Sequence, residues 1–410
     1  MNNPQSLTHK QKLRQDQPLW LTGTRTSIVT RKSPSARTYD VIIVGAGISG
    51  ALMAHALSGT NLSVLIIDRR MPVRGSSAAS TAMIQHEIDI PLHRLERQMG
   101  AEKSARVWRR SARAVEELSG IVRDLDIQCS FERRRSLFLA GESYGARALK
   151  KEVEARKSAG IKAEFVDHVA LEERYGIASR KAAIVSAISA SANPVQLTAG
   201  LLRQARQKGV EIVSDVEITD VREHSGAAFV ATSQGQIISA RNIVFCTGYE
   251  FLEGVANRKH TIISTWALAS RPHLKRPEWL DDYLVWEGAD PYLYFRSTPD
   301  GRVIAGGEDE DSPEAYKDAG KTEGKVRALT EKLHDLTGIS IGRPDFVWSA
   351  AFGVTPNGLP IIDHAPGMRN VFVTMGYGGN GITFSQIAAS LISSAILGAK
   401  DSDWDLFPAE

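Results

Sequence analysis

The sequence predicts an α/β protein in which a discontinuous Rossmann-type nucleotide-binding domain is joined to an α+β domain with a mixed or antiparallel sheet. Three observations predict it. Tyr39-Asp-Val-Ile-Ile-Val-Gly-Ala-Gly-Ile-Ser-Gly50 reads as a buried parallel strand running into a glycine turn and a helix. A second apolar run, Leu62-Ser-Val-Leu-Ile-Ile-Asp68, closes on a carboxylate about twenty residues after that turn, the dinucleotide-binding spacing. Finally, the middle of the chain is a meander of short strands that returns to Asn242-Ile-Val-Phe-Cys-Thr-Gly248, and a glycine-rich stretch opens the last helix.

Taken in order, residues 1–38 set Lys10, Lys12, Arg14, Arg25, Arg31, Lys32 and Arg37 against Asp16. A transit peptide shares that basic character, but there is no secretory apolar core, and Pro18-Leu-Trp-Leu21 reads as a patch that packs on the globule. An extended N-terminal arm is the expectation. In the fingerprint, Gly45 permits the tight turn, Gly47 lets backbone N–H groups approach a pyrophosphate, and Gly50 lets the helix pack close to the strand. The helix N-terminus adds a partial positive charge, and Asp68 can accept both ribose hydroxyls.

Residues 74–82 form a run of small side chains with hydroxyls that can follow a ligand closely. Helical periodicity over about 91–125 carries Arg94, Arg97, Arg106, Arg109, Arg110 and Arg113, read as a solvated face. A strand is expected at 131–140, a charged helix at 146–158, an amphipathic helix at 195–208, and strands at 209–213, 216–221, 228–232, 236–239 and 242–248. Such an antiparallel excursion suits flavin-binding Rossmann proteins better than nicotinamide dehydrogenases. Residues 261–354 are strand-rich, with Tyr292-Leu-Tyr-Phe-Arg296, a turn at Thr298-Pro-Asp-Gly301 and a helix at about 322–336. Glu308-Asp-Glu-Asp311 reads as a solvated turn, because no histidine or spaced ligand set accompanies it; no metal site is expected. The last part carries Pro356-Asn-Gly-Leu-Pro-Ile-Ile362, a strand at 370–374, and Gly376-Tyr-Gly-Gly-Asn-Gly-Ile-Thr383 before the final helix. The division that follows is an arm at 1–38, a nucleotide domain from 39–90, 190–262 and 350–410, and a substrate domain from 91–189 and 263–349.

Composition narrows the function classes. With 410 residues, 42% hydrophobic and 24% charged, the chain can build two soluble domains. A net charge of +3 argues weakly for nucleic acid, which is not an expected partner. Two cysteines, Cys129 and Cys246, exclude a disulfide framework, a cysteine zinc site or an iron–sulfur cluster, and suit a reducing, cytoplasmic setting. No apolar stretch reaches the length of a spanning helix, so no transmembrane segment is expected.

Together the glycine fingerprint, Gly75-Ser-Ser-Ala-Ala-Ser80, Cys246-Thr-Gly248, Asn357-Gly-Leu-Pro360 and the glycine-rich opening of the last helix resemble the D-amino-acid oxidase and glycine oxidase (DAO) family of FAD-dependent oxidoreductases, from Tyr39 to about Gly398. The resemblance implies FAD as cofactor, extended across the first domain with its ring at the interface with a strand-walled substrate domain. The residues it implies at the cofactor are Gly45, Gly47, Ile48, Ser49, Gly50, Asp68, Arg69, Ser76, Ser77, Ile218, Thr247, Gly248, Gly376, Gly378, Gly379, Asn380, Gly381, Ile382 and Thr383. Ile218 matches the position whose backbone pairs with adenine, and N–H groups of the 376–383 loop can stabilise negative charge on the reduced ring.

For the substrate, alternation puts Tyr292, Tyr294 and Arg296 on one strand face, and Tyr292 matches a substrate-contacting tyrosine of the family. Gln85 and His86 could face the ring, with His86 open to three roles: attachment point, proton acceptor or plain polar neighbour of Glu87. Relatives that oxidise small amino acids hold the carboxylate with arginine; this chain has Phe352 and Gly379 at those places, so a larger amine, an N-substituted amino acid reaching Arg296, or a more apolar substrate is expected. The expected reaction is oxidation of a C–N bond of an amine or amino-acid-like substrate to an imine, by hydride transfer to flavin N5, with oxygen or another acceptor reoxidising FAD. The rivals are a hydroxy-acid (C–OH) dehydrogenase and a flavin-carrying subunit of a hetero-oligomer. A nicotinamide enzyme is disfavoured because a second glycine fingerprint is missing.

Overall fold

The computed structural model describes residues 7–8, 10–23, 27–250, 252 and 260–409. The first sheet runs Ile361–His364, Val371–Met375, Ile237–Gly248, Thr38–Val44, Val64–Asp68 and Glu211–Ser214, and its inner pairings are parallel. Its strands are continuously apolar because both faces are covered. Val41, Ile43 and Ile66 pack beneath the helices Ile48–Leu57, Pro194–Gln207 and Gly381–Ile396, while Ile42, Leu65 and Ile67 pack against the antiparallel ribbon Ile218–His224 and Ala227–Thr232. The two strands expected at 236–239 and 242–248 are one strand, Ile237–Gly248. Its first residues pair with the ribbon and the rest with the parallel sheet. This is an α/β protein whose first sheet has a Rossmann-type arrangement.

The second sheet is mixed, in the order Arg14–Gln15, Phe346–Val354, Thr261–Ala269, Val303–Glu310, Leu293–Ser297, Tyr283–Glu287, Glu132–Leu139, Ala182–Ser191 and Met83–Gln85. Its one parallel pairing joins Tyr283–Glu287 to Glu132–Leu139. Phe346–Val354 lies in this sheet, so the domain border expected at 350 falls inside a strand, and Met83–Gln85, expected with the nucleotide part, pairs here as well. The arm adds an edge strand by setting Arg14 opposite Ala350. Trp20 is buried in the short turn Leu19–Leu21 and its Nε1 donates to Ser80 O at 2.7 Å.

Other expectations need correction. The long helical pattern splits into Leu92–Met99 and Ala101–Asp124 at Gly100, whose φ of +82° no helix accepts. Its arginine face is only partly solvated: Arg110 is buried against Asp401 and Asp403 of the C-terminal segment, at 2.9 and 3.3 Å. The strand Ala163–Asp167, the helix His168–Tyr175 and the strand Ala182–Ser191 went unread, since short elements with small residues carry little periodicity.

Candidate active site

One cavity of about 550 Å³ runs from the parallel strand ends of the first sheet to the face of the second. Its nucleotide end is backbone. Gly45 has a φ of +114°, and a Cβ there would lie 2.4 Å from Cys246 O; a Cβ on Gly50 would lie 1.9 Å from Gly45 O. Only glycine allows this turn, which leaves Gly45, Gly47, Ile48 and Ser49 lining the cavity while Gly50 stands behind, closing helix against strand. Asp68 lines the cavity, and its oxygens accept Ala46 N–H at 2.6 Å and Arg70 N–H at 2.8 Å. A carboxylate carries about four acceptor sites, so it keeps capacity for hydroxyls. Burial holds its carboxyl above the usual range, against those two donors.

Arg69 and Arg70 also line this end and are neutralised within the protein. Arg69 meets Glu217 at 3.0 Å and Glu250 at 2.6 Å; Arg70 meets Glu250 at 2.6 Å. Burial alone would raise the Glu250 carboxyl, and the two arginines more than reverse it. The arm joins this wall: Gln11 N–H donates to Glu250 at 2.8 Å, Arg70 donates to Gln11 O, and Leu13 lines the cavity. Ser76, Ser77, Ile218, Thr247 and Gly248 line it as well, and Ser77 Oγ accepts Ile48 N–H at 2.9 Å.

Toward the second sheet the loop before Gly381–Ile396 supplies Tyr377, Gly378, Gly379, Asn380, Gly381 and Ile382. Gly376 and Thr383 do not line the cavity; Thr383 is buried and donates to Gln85 O at 2.9 Å, tying the helix start to the strand Met83–Gln85. Tyr292 and Tyr294 line the cavity side by side, ring centroids 6.0 Å apart. Gln85 faces it too, and its Oε1 has no hydrogen-bond partner.

Two expected residues lie elsewhere. Arg296 is 2% exposed, and its guanidinium donates to Thr81 O, Ser297 O and Ala192 O while lying over the Trp20 ring. The strand carries it past the cavity wall, where it clamps main chain. His86 is fully buried outside the cavity, its Nδ1 2.7 Å from Ile188 O and its ring edge-on to Trp108; burial holds its pKa below the usual range.

Two carboxylates were missed as site residues. Asp309 sits in the strand Val303–Glu310 rather than in a solvated turn: strand alternation sends Glu308 and Glu310 toward Lys325, Lys332 and Lys321, and Asp309 into the cavity. Its Oδ2 accepts the Tyr292 hydroxyl at 2.8 Å. Burial pushes its carboxyl up to about 6, with nearby Asp89 adding and Thr265, Tyr292 and Lys325 opposing. Asp89 lines the cavity and accepts Gly379 N–H at 3.1 Å and Asn380 Nδ2 at 3.2 Å. The acidic run itself was the available signal; period 2 would have turned Asp309 to the face opposite Glu308 and Glu310. Among the described residues no group of three or more His, Cys, Asp or Glu is placed to hold a metal, and no helix is long and apolar enough to cross a membrane.

Comparison with known proteins agrees with this geometry. Residues 40–395 match the family described as DAO, FAD dependent oxidoreductase. Among curated proteins, the chain is 25% identical over 367 residues to the putative Rieske 2Fe-2S iron-sulfur protein YhfW of Bacillus subtilis (strain 168), covering 87% of this chain and 68% of that one. It is 21% identical over 373 residues to gamma-glutamylputrescine oxidoreductase of Escherichia coli (strain K12), covering 88% and 84%. The glycine oxidase structure from Geobacillus kaustophilus shares the fold with a TM-score of 0.74 at 20% identity, covering 92% of this chain and 99% of that one. The glycine turn, packed so tightly on Cys246 that only backbone of Gly45, Gly47 and Ser49 faces the cavity, fits the diphosphate of FAD, and the glycine loop before the last helix fits its ring. The chain belongs to the DAO family of FAD-dependent oxidoreductases.

Proposed function

We propose that this enzyme oxidises the C–N bond of an amine or amino-acid-like substrate, releasing an imine that hydrolyses, with oxygen or another acceptor taking the electrons. FAD, when bound, supplies the hydride acceptor at N5. The chain's residues bind and orient. Gly47 and Ser49 at the helix start present backbone N–H groups, Asp68 accepts hydroxyls, and Gly381 and Ile382 at the start of the last helix offer N–H groups to the ring. Tyr292, Tyr294 and Gln85 line the substrate side, and Phe352 and Ile263 make part of it apolar.

The observation that carries this reading is the acceptor-rich substrate end, where Asp309, Asp89 and Gln85 line the cavity opposite any group that brings N–H donors. A free amine already has a lone pair to form the imine, and positioning does most of the work. Asp309, near 6, suffices to take the proton that an ammonium must shed. The enzyme acts in the cytoplasm on this reading, where buried Cys129 and Cys246 stay reduced.

The test is anaerobic reduction of the flavin. An amine panel, with N-alkylated amino acids included, is expected to bleach the visible absorbance within seconds to minutes, while hydroxy acids leave it unchanged. Bleaching by hydroxy acids alone would overturn the proposal.

A further inference from the structure

Among the described residues, the substrate end of the cavity carries Asp309 and Asp89, with Glu287 already paired to Arg180, and a single cation, Arg94. Among the described residues, the cavity's cations are Arg69, Arg70 and Arg94. The first two are committed to Glu217 and Glu250 at the nucleotide end. Arg94 donates to Ser143 O and lies 4.6 Å over the Tyr144 ring. Arg296, the expected carboxylate partner, has its guanidinium on three backbone carbonyls.

Opposed to this stands an acceptor-rich wall. Asp309 and Asp89 line the same cavity, the Asp89 charge opposes ionisation of Asp309, and Tyr292 spends its hydroxyl proton on Asp309. The groups facing Asp309 are Asp89, Thr265, Tyr292 and Lys325, and Lys325 is held outside by Glu308 at 3.7 Å and Glu310 at 3.4 Å. An independent observation points the same way. Gln85 is 9% exposed, lines the same cavity, and leaves Oε1 without a donor. A buried acceptor left unpaired is costly, so the wall is built for a ligand that brings N–H groups and positive charge. A carboxylate placed against Asp309 and Asp89 would meet like charge.

We propose that the site takes a cationic amine, held by Asp309 and Asp89 with Gln85 as a further acceptor, that lacks a carboxylate on the carbon bearing the reacting nitrogen. This rests on C–N oxidation as the reaction and adds which C–N compounds enter.

The experiment titrates the purified FAD-bound enzyme at pH 8 with butylammonium chloride and, separately, with sodium butyrate, following the visible flavin spectrum. Butylammonium is expected to perturb the spectrum saturably and butyrate to leave it unchanged. Asp309→Asn and Asp89→Asn are each expected to weaken butylammonium at least tenfold at unchanged FAD content, and Asp309→Glu to keep most of the affinity. Saturable binding of butyrate without butylammonium, binding of neither, or asparagine variants within twofold of wild type would each overturn the proposal. Should an asparagine variant fail to retain FAD, the wild-type preference between the two ions still decides. The bleaching assay fails independently: α-amino acids that bleach while simple amines do not would sink this inference and leave C–N oxidation standing.

Discussion

The two ends of the cavity are built from different materials. At the nucleotide end the contacts come from main chain: a glycine turn, a helix start and a second glycine near Thr247, with charges already paired inside the protein. At the substrate end they come from side chains distant in sequence, where Asp309 and Asp89 accept hydrogen bonds from Tyr292, Gly379 and Asn380 but form no ion pair among the described residues. A cofactor shared by a whole family can be held by backbone geometry. A substrate particular to one enzyme has to be met by side chains, and a preorganised site there costs stability.

The sharpest way to break this contrast is at Gly50. A Cβ there would sit 1.9 Å from Gly45 O, backbone on both sides, so neither partner can yield cheaply. Overpacking of this kind costs about 1–3 kcal/mol or more. Gly50→Ala is expected to purify colourless or to bind FAD roughly 10- to 100-fold more weakly, read from the ratio of flavin to protein absorbance. A yellow variant with ordinary affinity would mean that the turn tolerates bulk and that the nucleotide end is not backbone-built.

Arg296→Met separates framework from substrate contact. The substitution leaves the carbonyls of Thr81, Ala192 and Ser297 without their donor. Hydrogen bonds to a charged group contribute about 1.5–3 kcal/mol each, so a stability loss of at least about 3 kcal/mol is expected in urea titration. The KM of the fraction that still folds should stay within about twofold. A variant of normal stability with a KM raised tenfold would return Arg296 to the substrate.

How much could be read in advance follows the same division. Gly45, Gly47, Gly50 and Asp68 were legible because their spacing is the geometry: each glycine answers a local steric demand that sequence order fixes. Phe352 and Gly379, expected where relatives carry an arginine, both line the cavity. Asp309 was missed because an acidic run reads as surface until its strand is known, and only then does alternation send one residue of the run inward. Arg296 shares the strand face of Tyr294, yet Thr81, Ala192 and Trp20 capture it, and no pattern within residues 292–296 announces those partners.

Asp309→Asn tests whether charge at the substrate end is a burden. The folded carboxyl titrates near 6 because of burial and Asp89, above the ordinary range near about 3.9 in the unfolded chain. Between those values the folded state holds more protons, so stability falls as pH rises through the window. The variant is therefore expected to melt at about the wild-type temperature near pH 4 and above it at pH 7.5, the gap opening between. A gap of constant size across that range would show that Asp309 is already compensated in the fold.

The smallest effect is expected where the two ends are joined. Thr383 stands at the start of the last helix, expected from sequence to touch the cofactor, but it is 1% exposed, does not line the cavity, and spends its hydroxyl on Gln85 O at 2.9 Å. That bond holds the glycine loop against the strand that carries Gln85. A neutral hydrogen bond of this kind contributes about 0.5–1.5 kcal/mol, so Thr383→Val should lower the melting temperature by a few degrees at most. The flavin spectrum and FAD affinity should hold, because the cavity's own lining is untouched. The substrate KM should rise only about twofold, through a looser Gln85. A shifted flavin band in Thr383→Val would instead put its hydroxyl on the ring, and side chains would then share with backbone in gripping the cofactor.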